Sequence, residues 1–138
     1  MPAVSIASTR YSYPDGRKVV VHTGDVSRSD TSAKDLFTLN PGDIPMRIEV
    51  YSGTASNAGT NARLSIGSSG NATYFVAAMD LKGSTVTSGG LGQSIPSSAV
   101  NLGTALEFVT TVTATYAEAG SASTAGGPWQ VFMYVLPG

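Results

Sequence analysis

Apolar and polar residues alternate with period two through most of this chain. In Thr104 to Ala119, TALEFVTTVTATYAEA, the even positions are Leu106, Phe108, Thr110, Val112, Ala114 and Tyr116. The odd positions are Glu107, Val109, Thr111, Thr113 and Thr115, and β-branched residues dominate. Side chains on a strand point alternately to its two faces, so this pattern predicts one long strand with an apolar and a polar side. The same alternation sets Ile44, Met46, Ile48 and Val50 against Pro45, Arg47, Glu49 and Tyr51, and Phe75, Ala77, Met79 and Leu81 against Tyr74, Val76, Ala78 and Asp80. The last run, WQVFMYVLPG, differs: Trp129, Val131, Met133 and Val135 oppose Phe132, Tyr134 and Leu136, so both faces are apolar. Such a strand is either central and covered twice, or lies at a subunit interface.

Turn residues divide these runs. Pro14-Asp15-Gly16 and Asn40-Pro41-Gly42 are turn signals. The first introduces a strand over Lys18 to His22, with Ser5 to Tyr13 as a possible hairpin partner, and the second follows a strand over Asp35 to Leu39. Arg63 to Gly67 and a brief element around Val86 bring the count to about eight strands. The one candidate for a helical turn is Ser29 to Phe37, capped by Asp30 or Ser32. Short strands at regular spacing predict an all-β fold, a jelly-roll-like antiparallel β-sandwich. Residues 35–138 are expected to form the sandwich, and the more polar residues 1–34 an N-terminal arm or hairpin extension.

Composition narrows the function. A chain of 138 residues is long enough for one domain with a core of its own. Without cysteine it has no disulfide, no thiol nucleophile and no thiolate metal site. No apolar run reaches the ~20 residues of a membrane helix, and the start, MPAVSIASTRYSYPDG, lacks the layout of a signal peptide. Only 12% of residues are charged, and after Lys82 the only charges are Glu107 and Glu118. That leaves no basic patch for nucleic acid and no polybasic stripe for a membrane, so neither partner is expected. The C-terminal half is expected to be buried or pressed against another subunit.

Candidate chemistry is sparse. The loop Gly67 to Asn71, GSSGN, has the glycine spacing of a phosphate cradle but no following Lys and no helix, so a hairpin turn is the simpler reading. Asn71-Ala72-Thr73 completes a glycosylation sequon. His22 is the only histidine, which excludes multi-histidine metal sites; it reads as a surface residue at a strand end. Glu49 and Glu107 are the carboxylates that could face one another across a sheet, as a glycosidase requires. Tyr51, Tyr74 and Trp129 are the aromatics that could line a sugar-binding groove, although at strand spacing aromatics usually serve a core or an interface. No catalytic residue, metal or cofactor is expected, and an enzyme is not.

The string TLNPGDIPMRIEVYSGTAS…GTNARLSIGSSGNATYFVAAMDLK, with the later TYAEAGSASTAGGPWQVFMYVLP, resembles small structural proteins of tailed bacteriophages, several of which are capsid decoration, or cement, proteins. The resemblance spans roughly Leu36 to Pro137. It implies a jelly-roll-like sandwich, a homotrimer, the major capsid protein as partner, and a place on the capsid exterior after assembly in the host cytoplasm. It carries over no site residues. The competing expectation is a carbohydrate- or receptor-binding module of a phage tail fibre or spike.

Overall fold

The computed structural model describes residues 17–52, 54–82, 92–94 and 99–138. They form eight strands: β1 (Val20–Val26), β2 (Lys34–Leu39), β3 (Ile44–Ser52), β4 (Asn61–Ser68), β5 (Asn71–Asp80), β6 (Gly92–Ser94), β7 (Thr110–Ala119) and β8 (Trp129–Leu136). All pairing is antiparallel: β1 with β8, β2 with β7, β3 with β6, and β4 with β5. The chain therefore doubles back about Ser69-Gly70 as one long hairpin. That hairpin then curls, so that β8 also pairs with β3 and β7 with β4. Two four-stranded sheets result, ordered β1-β8-β3-β6 and β2-β7-β4-β5. This is a jelly-roll-like β-sandwich, as the alternation predicts.

Each sheet turns one apolar face to the other. Ile48 and Val50 of β3 with Trp129, Val131, Met133 and Val135 of β8 supply one inner face. Ala62, Leu64 and Ile66 of β4 with Val112, Ala114 and Tyr116 of β7 supply the other, and all belong to one cluster. Tyr116 stacks on Trp129 between the sheets, ring centroids 5.2 Å apart and 17° from parallel. Val26 of β1 and Leu39 of β2 are fully buried at the flank. β1 pairs with β8 along its whole length, from Val20↔Val135 to Val26↔Trp129. The sandwich thus begins at β1, ahead of the boundary at residue 35 that composition suggests. The expected partner strand, Ser5 to Tyr13, and the element around Val86 lie outside the described residues.

Several expected faces are shifted, each for a local reason. Between Pro45↔Val135 and Arg47↔Tyr134, β3 has one residue more than β8. Met46 is that bulged residue and is exposed, while Pro45 takes the inward position. β5 has a second bulge, between Leu64↔Met79 and Ile66↔Val76, with Ala78 at φ 54°. There Phe75 and Val76 are both buried, and Ala77 is exposed instead of inward. The long strand starts only at Thr110, so Thr104 to Val109 is loop and Phe108 points outward. The helical turn expected at Ser29 to Phe37 is a tight turn followed by β2: Asp30 N–H donates to Ser27 O, and Asp30 Oδ2 accepts from Ser27 N.

The β4–β5 turn depends on one glycine. A Cβ on Gly67 would collide with main-chain atoms of Asn71 and Ala72, because β5 crosses closely over this position. Gly67→Ala is expected to cost about 1–3 kcal/mol through overpacking. Gly70→Ala, where nothing lies within 4 Å of the new atom, should stay within about 0.5 kcal/mol of the parent. Urea unfolding curves of the two variants distinguish these outcomes.

Candidate interaction surfaces

Antiparallel pairing sorts the connections to two ends. One, the proximal pole, holds the start of β1, the end of β8, the β2–β3 turn at 40–43, the Ser69-Gly70 turn and the segment 99–109 leading into β7. The other, the distal pole, holds the β1–β2, β3–β4 and β7–β8 loops. A third surface is the outer face of the β1-β8-β3-β6 sheet.

Glu49 lies on that outer face yet is only 4% exposed. Register explains it: Glu49 pairs with Phe132 and Arg47 with Tyr134, so these residues and Tyr51 share one side of the pleat. The Tyr51 and Tyr134 hydroxyls each donate to Glu49 Oε1 at 3.1 Å, and Arg47 pairs with Oε2. Tyr51 meets Phe132 edge-on at 5.1 Å. Burial first, and then the hydrogen bond to the carboxylate, push both tyrosine hydroxyls above their ordinary pKa. The charge of Glu49 is satisfied within the sheet, so the face presents aromatic rings that are neutral at ordinary pH.

The distal pole is a polar network. Tyr116 O–H donates to Glu118 Oε1 at 2.6 Å, and Ser56 Oγ lies 2.9 Å from the same hydroxyl. Ser123 donates its hydroxyl to Glu118 Oε1 at 2.6 Å and its main-chain N–H to Oε2 at 3.0 Å. Arg28 donates to Ser123 O at 3.0 Å. The Ser123 hydroxyl first, and then that of Tyr116, hold the Glu118 carboxyl down at about 2. Asn57 Oδ1 accepts from the N–H groups of Thr124 and Ala125 at 2.8 and 3.0 Å. Lys82 reaches the Ala58 carbonyl.

Main-chain bonds hold the distal loops as well, among them Ser56 N to Leu81 O, Gly59 N to Ser121 O and Gly127 N to Thr54 O, and the proximal pole has fewer side-chain ties. Its loops are tied by main-chain hydrogen bonds: Gly42 N to Leu106 O at 2.7 Å, Leu106 N to Asp43 O at 2.9 Å, Gly103 N to Pro45 O at 2.7 Å, and Val100 N to Phe75 O at 2.9 Å. Asp43 Oδ1 accepts from Gly138 N and Oδ2 from Asn40 N. Within the 99–109 segment Ala99, Leu102 and Leu106 pack against the core, whereas Phe108 and Val109 face water, 75% and 63% exposed. A cleft of about 490 Å³ opens beside them, lined by Tyr74, Asn101 and Leu106 among others.

The residues singled out by sequence are dispersed. Glu49 is in a sheet face and Glu107 in the proximal loop, so they do not form a carboxylate pair. Trp129 is fully buried, Tyr51 lies on the outer face of one sheet, and Tyr74 packs edge-on against Phe75 in the other; the three do not line a common groove. His22 is not a surface strand-end residue. It sits mid-strand, half-buried, stacked on Phe37 of β2 at 5.1 Å. Gly67 to Asn71 is a hairpin, with Ser68 paired to Asn71 and a strand behind it where a phosphate site needs a helix. Asn71 is exposed, and its Oδ1 accepts from Thr73 N and Thr73 Oγ1, an Asx turn that fixes the start of β5. Tyr134 as a second donor to Glu49, and the pairing of Glu118 with Ser123, join residues too distant in sequence for spacing to show. Among the described residues no group of three or more His, Asp or Glu side chains is placed to hold a metal ion.

No known protein family matches the sequence, and neither does any curated protein. The fold, however, is similar to chains of solved structures. A chain of the capsid asymmetric unit of cyanophage Pam1 matches with a TM-score of 0.61 and 21% identity, over 100% of both chains. A chain from the acidic stable capsid structure of Helicobacter pylori bacteriophage KHP30 matches at 0.59 and 12% identity, over 87% of this chain and 89% of that one. One from the capsid of Ralstonia phage GP4 matches at 0.53 and 14% identity, over 96% and 94%. At these identities the likeness is one of fold, and it extends over nearly the whole of each chain.

Below neutral pH the response follows from His22, Glu118 and Asp30. Burial against Phe37 lowers the His22 pKa, with Asp43 partly opposing. The unfolded chain therefore takes up a proton near pH 6.5 before the folded one does, and stability falls as pH drops below about 6.5. His22→Phe should remove that fall, since no other side chain here ordinarily titrates in the window. The depressed Glu118 carboxyl gives a second loss, from its ordinary value of 4.5 down toward about 2, which Glu118→Gln should reduce, leaving the contribution of Asp30, whose carboxyl the Ser27 main-chain N–H also holds below its ordinary value. Denaturation midpoints measured from pH 7.5 to 2.5 separate the two steps.

Proposed function

We propose that this chain is a bacteriophage capsid decoration, or cement, protein: a small separate subunit that binds the major capsid protein on the outside of the head and stabilises it. The observation that carries this reading is the end-to-end likeness to whole chains of phage capsids, complete on both sides for cyanophage Pam1. A fold by itself does not dictate function, so the surfaces must agree with it. They do: the chain is weakly charged, its loops meet one another through main-chain and hydroxyl hydrogen bonds, and Glu49 and Glu107 lie on different elements, one in a sheet face and one in a loop.

The subunits are proposed to assemble as a homotrimer. Closed rotational symmetry is the usual solution for such contacts, and the outer face of β8 suits it. Phe132, Tyr134 and Tyr51 are half-buried there, and Glu49 is already neutralised by Arg47, so a neighbour could cover this face without stranding a charge. A receptor-binding role on a tail fibre or spike finds less support, because the aromatics that would form a groove lie on separate surfaces.

Light scattering of the purified protein is expected to give the mass of three chains. Heads of the source phage assembled without it should take it up on mixing and, once decorated, should withstand higher temperature before releasing DNA. A strictly monomeric protein that stays in the supernatant when such heads are pelleted would refute the proposal.

A further inference from the structure

The three aromatics named from the sequence share no groove, but one of them, Tyr74, shares the proximal cleft with Phe108. The cleft holds about 490 Å³, within the roughly 300–1,000 Å³ usual for small-ligand sites. On one side it is lined by Ser68 and Ser69 of the β4–β5 turn, and on the other by Thr104, Glu107 and Phe108 of the segment leading into β7. We infer that this cleft is a saccharide-binding site for an uncharged pyranose unit, with the sugar ring packed on Phe108 and its hydroxyls bonded to Ser69, Thr104 and Glu107. The inference goes beyond the decoration reading and does not depend on it.

The character of the lining selects the ligand. Among the described residues no hydrogen bond engages the side chains of Ser68, Ser69, Thr104 or Glu107, so these groups are open to a partner. A purely apolar occupant would take them out of water unpaired, at a cost in free energy. A pyranose satisfies both kinds of wall: its rows of C–H groups present an apolar face to an aromatic ring, and its rim carries hydroxyls that donate and accept.

Two further observations narrow the class. The β5 main chain at the cleft is already engaged: Tyr74 O accepts from Asn101 Nδ2 at 2.6 Å, and Phe75 O from Val100 N at 2.9 Å. An extended peptide therefore cannot add there as a further strand. Within residues 68–74 and 99–110 the only charge is Glu107, and Arg17, Lys18 and Arg47 do not line the cleft. An acidic sugar would meet a carboxylate and no cation, so the uncharged sugar is the one accepted. The site is also preorganised. The Gly42–Leu106, Leu106–Asp43 and Gly103–Pro45 main-chain bonds fix one wall, and Thr110 Oγ1 holds Phe108 O at 3.0 Å. Little conformational freedom is then left to lose on binding.

The test titrates the full chain with glucose, galactose, mannose, N-acetylglucosamine and glucuronic acid, read by nuclear magnetic resonance, and adds an array of neutral and acidic glycans. At least one neutral sugar should shift the signals of residues 68–74 and 104–110, with a dissociation constant on the order of 1 mM for a single ring. Phe108→Ala and Glu107→Ala should each weaken that binding at least tenfold at an unchanged melting temperature, since both side chains are exposed. Ala122→Lys, an exposed change at the distal pole, should bind as the parent does. Glucuronic acid should bind at least tenfold more weakly than the preferred neutral sugar. No response to any neutral sugar in solution or on the array would overturn the inference, as would parent-like binding by both cleft variants or a preference for acidic sugars. Each of these results leaves the decoration reading standing, and a protein that binds sugar but not heads would overturn that reading alone.

Discussion

Tyr116 lies flat on Trp129 across the gap between the sheets, and much of the molecule follows from that contact. Neither sheet is stable alone, since each has an inner face of Val, Ile, Leu and Met that must be kept from water. The stack fills the distal end of that interior with two of its largest side chains, both fully buried. It also imposes a chemical demand. Tyr116 carries its hydroxyl beyond the edge of the core, where it requires partners, and Ser56 and Glu118 supply them. Glu118 in turn is held by Ser123, and Ser123 by Arg28. The polar organisation of the distal pole thus begins at an aromatic ring in the core. Among the described residues the Trp129 indole N–H has no hydrogen-bond partner.

Pairing rules then fix what lies where. Because each strand of the first half pairs with its counterpart counted from the other end, successive connections fall at alternate ends of the sandwich. Both described chain ends, Arg17 and Gly138, therefore come to one pole, joined through Arg17 Nη1 and Pro137 O and through Gly138 N and Asp43 Oδ1. The same wrapping places the exposed Phe108 loop at that pole and the Glu118 network at the other. Main-chain bonds hold the loops at both poles, and the distal pole adds a network of hydroxyl, amide and carboxylate side chains.

The strands whose alternation is unbroken were the legible ones. Val112, Ala114 and Tyr116 in β7, and Trp129, Val131, Met133 and Val135 in β8, are inward as their period requires. The last strand, expected to be either central and covered twice or at a subunit interface, lies between β1 and β3 in its sheet, with Phe132 and Tyr134 on its outer side half-buried. Alternation fails at Met46 and Ala77 because each lies at a bulge, and a bulge is a mismatch between two strands, invisible in either one. Phe108 was misplaced for a related reason. Its spacing continues the pattern of β7, but the hydrogen bonds that draw residues 103–106 away come from residues 42–45, far off in sequence. His22 was read as a surface residue because Thr23-Gly24-Asp25 suggested a strand end. In the fold β1 continues to Val26, and Gly24 lets Leu36 come close, which brings the neighbouring Phe37 under the imidazole.

The way each pole is held together bears on what it can do. A side chain that anchors its own loop is not available to a partner, and displacing it costs the bond it already makes. At the distal pole Asn57, Glu118, Ser123 and Arg28 are committed in this way, so docking there would exchange one set of polar contacts for another with little net gain. At the proximal pole the loop that bears Phe108 is held by main-chain bonds and by the packing of Leu102 and Leu106, which leaves the outward side chains uncommitted. Phe108, Val109 and Val100 can therefore be apolar, exposed and fixed in direction together, a combination that is unfavourable in water and favourable only when another surface covers it. Ala99, Leu102 and Leu106 of the same segment turn the other way and pack against the core, so the segment is held by its inward side chains as well as by the main chain of residues 42–45.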